Sequence, residues 1–193
     1  MPVQTFYIRN MVSSRCIRSV GDAIKLAGAQ EEEKTTLGKA VISYDPGKFK
    51  KEEFVRALRD EGFEVIESKE EQAVEQIKVA AIELVYHANN ANSLIRNSDY
   101  LSEKVGMTYN SLSKLFSEKT GHTLEKYIIL LKIEKAKELL SYNEYTLSEI
   151  AYMMGYSSVQ YLSNQFRQIT GYTVSEYKTK GINDRRPLDK LLE

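Results

Sequence analysis

Two sets of side chains in this sequence carry amides, hydroxyls and cations at the spacing of a single helix face. The first is Tyr109, Asn110, Ser113, Lys114 and Ser117; the second is Val159, Gln160, Ser163, Asn164 and Arg167. Neither set contains a nucleophile beside a histidine, a carboxylate pair or a cluster of metal ligands. The chemistry open to them is hydrogen bonding to a partner that presents planar edges and negative charge. Asn and Gln can bind adenine edges in pairs, and Lys and Arg can bind guanine. A helix face that is merely soluble carries a Glu/Lys mixture instead.

These faces belong to two copies of one pattern, residues 101–127 and 150–177. Leu112 matches Leu162, Phe116 matches Phe166, Thr120 and Gly121 match Thr170 and Gly171, and Tyr127 matches Tyr177, each pair 50 positions apart. Leu101, Val105 and Gly106 match Ile150, Met154 and Gly155 at an offset of 49, so the second copy has one more residue in its turn. Each copy predicts a short helix, a glycine suited to the left-handed conformation that ends it, and a Ser or Thr cap (Thr108; Ser157 or Ser158). A second helix follows, burying Leu112, Leu115 and Phe116, or Leu162 and Phe166. This is a helix-turn-helix pattern with a polar second helix. An ordinary helical hairpin is the competing reading for one copy, and the duplication of glycines, caps and aromatics argues against it. Residues 124–141 lack Gly and Pro and predict a linking helix about 27 Å long, near the scale of one DNA turn, about 34 Å.

The turns at Gly106 and Gly155, the Leu112/Phe116 and Leu162/Phe166 helices, the two T-G-x-T stretches, and Ala136 with Leu139 and Leu140 together resemble the DNA-binding domain of the AraC/XylS transcription regulators. The resemblance covers residues 74–178. It implies that Asn110, Ser113 and Lys114 face bases from the first unit, and Val159, Gln160, Ser163 and Asn164 from the second, with Arg167 nearer the phosphates. Many relatives carry Arg where this chain has Asn164, which implies amide-to-adenine contacts here or a second unit that binds more weakly.

The chain has 193 residues, 42% hydrophobic and 28% charged, enough for two small domains with cores. It has no apolar run long enough to span a membrane and no signal-peptide pattern at its start, so a cytoplasmic location is expected. A single cysteine excludes an intramolecular disulfide framework. No phosphate loop, dinucleotide loop or nucleophile–histidine constellation is present, and the expectation is a binding protein that is not an enzyme. Charge is less favourable to a nucleic-acid reading. Residues 97–193 carry 13 Lys and Arg against 12 Asp and Glu, without the strongly basic balance usual for DNA binders. Distribution must compensate, through Lys114, Lys119, Arg167, Lys178, Lys180, Arg185 and Arg186 on or near the second helices and the tail.

Residues 1–68 read as a separate domain. Phe6 and Ile8 mark a strand, and residues 16–27 a helix through Ile17, Val20, Ile24 and Ala27. Residues 33–37 and 40–44 form a hairpin about Gly38 and Lys39, residues 50–61 a helix burying Phe54, Val55 and Leu58, and 63–66 a last strand. The order βαββαβ is that of a ferredoxin-like α+β unit. Residues 38–47, 52–65 and 11–16 resemble the heavy-metal-associated domain of copper chaperones and mercury-binding proteins. That family's M-x-C-x-x-C here reads M-V-S-S-R-C, with Ser13 in place of the first cysteine and Cys16 in the second position. The resemblance implies a soft metal such as Cu(I), with Cys16 as a weak candidate ligand and Met11 a poorer one. The competing readings are an inherited fold without metal, a site shared between two chains, or another ligand or protein partner. His87 and His122 read as surface or packing residues.

The expected architecture is thus an α+β unit at 1–68, a connecting helix at 69–97, an all-α double helix-turn-helix domain at 98–180, and a partly ordered tail at 181–193. Val74, Ile77, Ala81, Leu84, Ala88, Ala91 and Ile95 have coiled-coil spacing. They form either a homodimer seam or the inner side of a helix packed on its own domain, and the small alanines favour the second. The expected partners are double-stranded DNA and RNA polymerase, with the N-terminal domain as a sensory or interaction module.

Two measurements check this reading. The near-neutral charge predicts modest non-specific DNA affinity with a shallow salt dependence; a slope equivalent to about eight or more released counterions would contradict it. A lone thiolate is a poor site for a soft ion, so equilibrium dialysis should find equal Cu(I) uptake by the protein and its Cys16→Ala variant. Uptake lost with Cys16 would establish a thiolate site.

Overall fold

The computed structural model describes residues 1–86, 97–182 and 184–193. The protein is mostly helical with one small four-stranded antiparallel sheet, and its contacts divide it into two units, Met1–Val79 and Ala80–Glu193. The first unit runs β1 (Val3–Arg9), α1 (Ser14–Leu26), β2 (Ala29–Thr36), β3 (Lys39–Tyr44), α2 (Lys51–Asp60) and β4 (Glu64–Ile66). The sheet order is β2-β3-β1-β4. Alternation along β1 turns Phe6 and Ile8 inward, where they join Met11, Val20, Ile24, Ile42, Phe54, Leu58 and Phe63 in one core. Phe6 meets Phe54 edge to face, with centroids 5.1 Å apart. Val55 is only half-buried beside them. β2 begins four residues earlier than its sequence pattern suggests, because Gly28 at φ 78° turns the chain directly out of α1. At the sheet's edge β2 exposes Glu31, Glu32, Glu33 and Lys34.

The α3 helix spans Lys69–Tyr86, and the division between units falls inside it. Its first half packs on the end of the sheet. A Cβ on Gly38 would stand 3.1 Å from Val79, so only glycine at φ 74° both makes the β2–β3 turn and admits α3 this closely. Glu75, 7% exposed, accepts the Asn10 backbone N–H at 3.2 Å, and burial pushes its carboxyl above the usual carboxylate range. Val74, Ile77, Ala81 and Leu84 are all buried within this chain. Of the two readings of the coiled-coil spacing, these four positions follow the packing one. Ala88, Ala91, Ile95, the helix end expected at 89–93 and His87 lie outside the described residues.

The second unit continues with α4 (Asn97–Val105), α5 (Tyr109–Thr120), α6 (Leu124–Tyr142), α7 (Leu147–Met153), α8 (Val159–Thr170) and α9 (Val174–Thr179). α6 is its axis. It buries Leu124, Tyr127, Ile128, Leu130, Leu131, Ile133, Ala136, Leu139 and Leu140 around its circumference, as a helix at the centre of a bundle must. It packs against α5, α7 and α8. Ile133, Ala136, Leu139 and Leu140 share a core with Ile150, Met154, Leu162, Phe166, Val174 and Tyr177.

Two charged residues are also sealed into α6. Lys137 and Glu134 form a 2.9 Å ion pair with side chains 4% and 3% exposed. Such a pair survives burial only when its remaining valences are satisfied, and the C-terminal segment satisfies them. The Arg186 backbone N–H donates to Glu134 at 3.0 Å, and Lys137 reaches the Asp184 carbonyl and carboxylate at 3.3 and 3.2 Å. Arg185 bonds Glu138 at 2.7 Å, the Tyr177 hydroxyl donates to Asp184 at 2.9 Å, and Leu191 is 2% exposed. Burial, then the bond to Asp184, raises the Tyr177 phenol to about 12. Within the stretch expected as a partly ordered tail, Asp184, Arg185 and Arg186 are thus held on the second unit and Leu191 is buried, through contacts that local sequence periodicity does not register.

Removing one member of a buried pair leaves an uncompensated charge, whereas removing both does not. Lys137→Met alone should lower stability to urea by about 3–5 kcal/mol. Glu134→Met/Lys137→Met should recover at least half of that loss. Equal destabilisation by the single and double variants would show that the pair's mutual attraction is not what holds Lys137 in place.

Candidate nucleic-acid interface

The two helix pairs, α4–α5 and α7–α8, repeat the same local solutions. Gly106 and Gly155 take φ values of 73° and 67° at the turns. The Thr108 hydroxyl caps α5 by accepting the Ser111 N–H at 3.3 Å, and Ser158 caps α8 by accepting the Tyr161 N–H at 3.2 Å. The one-residue difference between copies is taken up between glycine and cap, since Ser157 has no counterpart before Thr108. α5 and α8 both end at a left-handed glycine, Gly121 and Gly171. In the T-G-x-T stretches, the first threonine donates to the Phe116 or Phe166 carbonyl, at 2.8 Å in both copies. The second threonine caps the next helix, Thr123 on α6 and Thr173 on α9. Phe116 packs on Tyr127 at 5.4 Å and Phe166 on Tyr177 at 5.2 Å. Each second helix is thereby fastened by its apolar side to the helix that follows, which fixes the direction of its polar side.

On α5, Asn110 and Lys114 are exposed and Ser113 is half-buried; on α8, Gln160, Asn164 and Arg167 are exposed and Val159 and Ser163 half-buried. Gln160 donates its side-chain amide to the Asn164 side-chain oxygen at 2.9 Å. The two amides therefore stand as one unit, with the Gln160 oxygen and the Asn164 NH₂ left for other partners. Lys114 lies 3.9 Å from Glu118 in an exposed pair that costs little to open. At 100° per residue the exposed side of α8 also includes Tyr161 and Gln168, which the sequence reading left out. Gln168 occupies the position of Glu118 in α5, so α8 presents no carboxylate on this side while α5 presents one.

The balance of cations differs from the expectation. Arg185 is bound to Glu138, and the Arg186 guanidinium donates to the Lys190 and Glu193 carbonyls, so both hold the C-terminal segment in place. Lys132 on α6 received no weight from sequence, yet its Nζ sits 5.3 Å from the centroid of the Tyr156 ring, at the α7–α8 turn. The signal that could have found it was a lysine in a helix otherwise apolar at every neighbouring position, 130, 131 and 133. Burial lowers its pKa, and raises the Tyr156 phenol to about 12.

The metal candidates in the first unit, Cys16 and Met11, belong to or border the same core cluster. Cys16 is half-buried in the first turn of α1 with its Sγ 3.5 Å from the Ser13 hydroxyl, while Met11 is fully buried in the core. Among the described residues no group of three or more His, Cys, Asp and Glu is placed to hold a metal ion. His122 is half-buried, its backbone N–H bound to Thr120. No helix among the described residues is long and apolar enough to cross a membrane.

Residues 101–180 match the family described as "Helix-turn-helix domain". The xylose operon regulatory protein of Escherichia coli (strain K12) is 31% identical over 99 residues, covering 51% of this chain and 25% of that protein. An uncharacterized HTH-type transcriptional regulator in the cgkA 5' region of Pseudoalteromonas carrageenovora is 34% identical over 116 residues, covering 58% of this chain and 68% of that protein. Among solved structures, an AraC-type transcriptional regulator from Chromobacterium violaceum superposes with a TM-score of 0.46 at 24% identity, over 56% of this chain and 94% of that one. The chain spans about a quarter of the length of the first curated relatives it matches. With two capped helix pairs inside the matched residues, the chain belongs to the HTH-type transcriptional regulators.

Proposed function

We propose that the protein is a cytoplasmic, sequence-specific DNA-binding regulator that works by binding, without catalysing a reaction. α5 and α8 enter adjacent segments of the major groove and α6 spaces them. The observation that carries this reading is the paired amide face of Gln160 and Asn164 on α8, exposed and joined by a 2.9 Å hydrogen bond. A Gln or Asn amide presents one donor and one acceptor, the complement of the adenine N7 and N6 edge. Asn110, Ser113 and Lys114 on α5 make the other set of base contacts. Val159 and Ser163 support the second set, Val159 against a thymine methyl, and Arg167 binds phosphate.

In this reading residues 98–180 form the DNA-binding part, 69–97 join it to the N-terminal module, and 181–193 brace α6. The N-terminal module, 1–68, is ferredoxin-like, supported by its βαββαβ order and the β2-β3-β1-β4 sheet. It serves as a sensory or interaction domain related in pattern to heavy-metal-associated domains. A buried Met11 and a lone Cys16 favour an inherited fold over a working soft-metal site within one chain. RNA polymerase is the expected protein partner once the regulator is on DNA, and a homodimer is the assembly the N-terminal module could support.

Selection of bound duplexes from a random pool, followed by affinity measurement with Gln160→Ala/Asn164→Ala, tests the proposal. Specific binding should weaken by about 2–6 kcal/mol, from about 30-fold upward, with the urea midpoint unchanged. Unchanged DNA affinity would favour a protein–protein adaptor that uses the helical domain as a scaffold. Tight Cu(I) uptake without any selected duplex would favour metal trafficking.

A further inference from the structure

Lys132 differs in kind from the other lysines in the last three turns of α6. Lys135 is paired with Glu138, and Lys137 with Glu134 and Asp184. Lys132 has no carboxylate partner among the described residues, although it is half-buried and its charge is disfavoured by that burial. Its ammonium lies over the Tyr156 ring at 5.3 Å and 3.7 Å from the point where a Cβ on Gly155 would stand. A cation facing an aromatic ring recovers part of the hydration it has lost, but less than an anion would return. The stem is held by packing, and the ring it faces is itself fixed by the Tyr156 hydroxyl, 2.8 Å from the Gln165 side-chain oxygen, and by the Tyr161 ring at 5.7 Å. The result is a rigid, incompletely solvated positive charge without an internal partner.

Its location says which anion would complete it. Gly155 and Tyr156 form the turn that leads into α8, whose exposed side carries Gln160, Asn164 and Arg167. If that side faces base edges, the start of α8 lies beside the strand that borders the groove, where the available anions are phosphodiesters. Lys114 and Arg167 are exposed side chains that must be ordered on binding, whereas Lys132 is already in place, so its contact sets register at low entropic cost. We propose that Lys132 is a positioning residue that binds a backbone phosphate beside the α7–α8 turn and fixes the depth and register of α8 in the groove. This rests on the DNA-binding reading above.

Affinity for the selected duplex and for a scrambled one is measured across a potassium chloride series, for the wild type, Lys132→Met, Lys132→Arg and Gln160→Ala/Asn164→Ala. Methionine keeps the apolar stem and removes the charge. Lys132→Met should weaken binding to both duplexes by similar factors and reduce the slope of log K against log salt by about 0.9. Its deficit should accordingly shrink about threefold between 50 and 200 mM salt. Lys132→Arg should keep the wild-type slope, and Lys132→Met should melt no lower than the wild type, because the charge it loses is uncompensated in the free protein.

An unchanged slope in Lys132→Met, or a loss confined to the selected duplex, overturns the phosphate contact. Independently of any variant, NMR titration of the Lys132 side chain should show its pKa rise when the duplex is bound; no rise also overturns it. Should the wild type fail to distinguish the two duplexes, or the double-alanine protein bind like the wild type, the DNA reading falls and takes this inference with it. Specificity lost in the double-alanine protein beside an unchanged slope in Lys132→Met removes Lys132 alone.

Discussion

The second unit is organised by the need to surround α6. A helix with Leu, Ile and Tyr on every side cannot lie on a surface. Its burial requires neighbours all around, and the two helix pairs supply them: α5 on one side, α7 and α8 on another. Each pair gives up its apolar side to this task, through Leu112 and Phe116 or Leu162 and Phe166. What is left exposed on α5 and α8 is therefore the polar side, by construction. The presentation of Asn110, Lys114, Gln160 and Asn164 follows from packing, without any separate device to turn those residues outward. The sealed Glu134–Lys137 pair fits the same picture, since two charges on the covered side of α6 find partners in each other and in the docked C-terminal segment.

Duplication gives the two helix pairs equal frameworks and unequal faces. Capping hydroxyl, left-handed glycine, threonine bond and aromatic pair recur at nearly equal distances in both. The exposed sides do not recur. α5 offers a lysine shared with Glu118, and α8 offers a coupled amide pair with Gln168 beside it. Like a pair of identical handles fitted with different bits, the framework fixes placement while the face sets preference. Near-neutral charge in this half of the chain means that a few well-placed cations, more than a basic surface, must supply the electrostatic attraction.

Much of this was legible in the sequence because its determinants are local. Gly106, Gly155, Thr108, Ser158 and the Phe116/Phe166 spacing each follow from a backbone conformation or a helix period, and the strand and helix order of the first unit follows from alternation and turn chemistry. The rest depends on contacts between distant residues. Nothing near Arg185 or Arg186 announces that they dock on α6, because the residues that receive them are 47 or more positions away. The close fit of Val79 on Gly38 likewise ties α3 as far as Val79 to the first unit, where the sequence suggested a connector. Lys132 was marked in the sequence only by its apolar neighbours at 130, 131 and 133; that it lacks a carboxylate partner is known only once the chain is folded.

The rim formed by β2 has a bearing on assembly. Its backbone has a free row of donors and acceptors, the natural place for another copy to extend the sheet. Yet Glu31, Glu32 and Glu33 crowd that margin, and its register with β3 is irregular between Glu31 and Glu33. Two such margins brought side by side would set acid against acid along a bent ladder, which is how natural sheets discourage unwanted growth. The same charges and irregular ladder make that flank a poor template for strand addition.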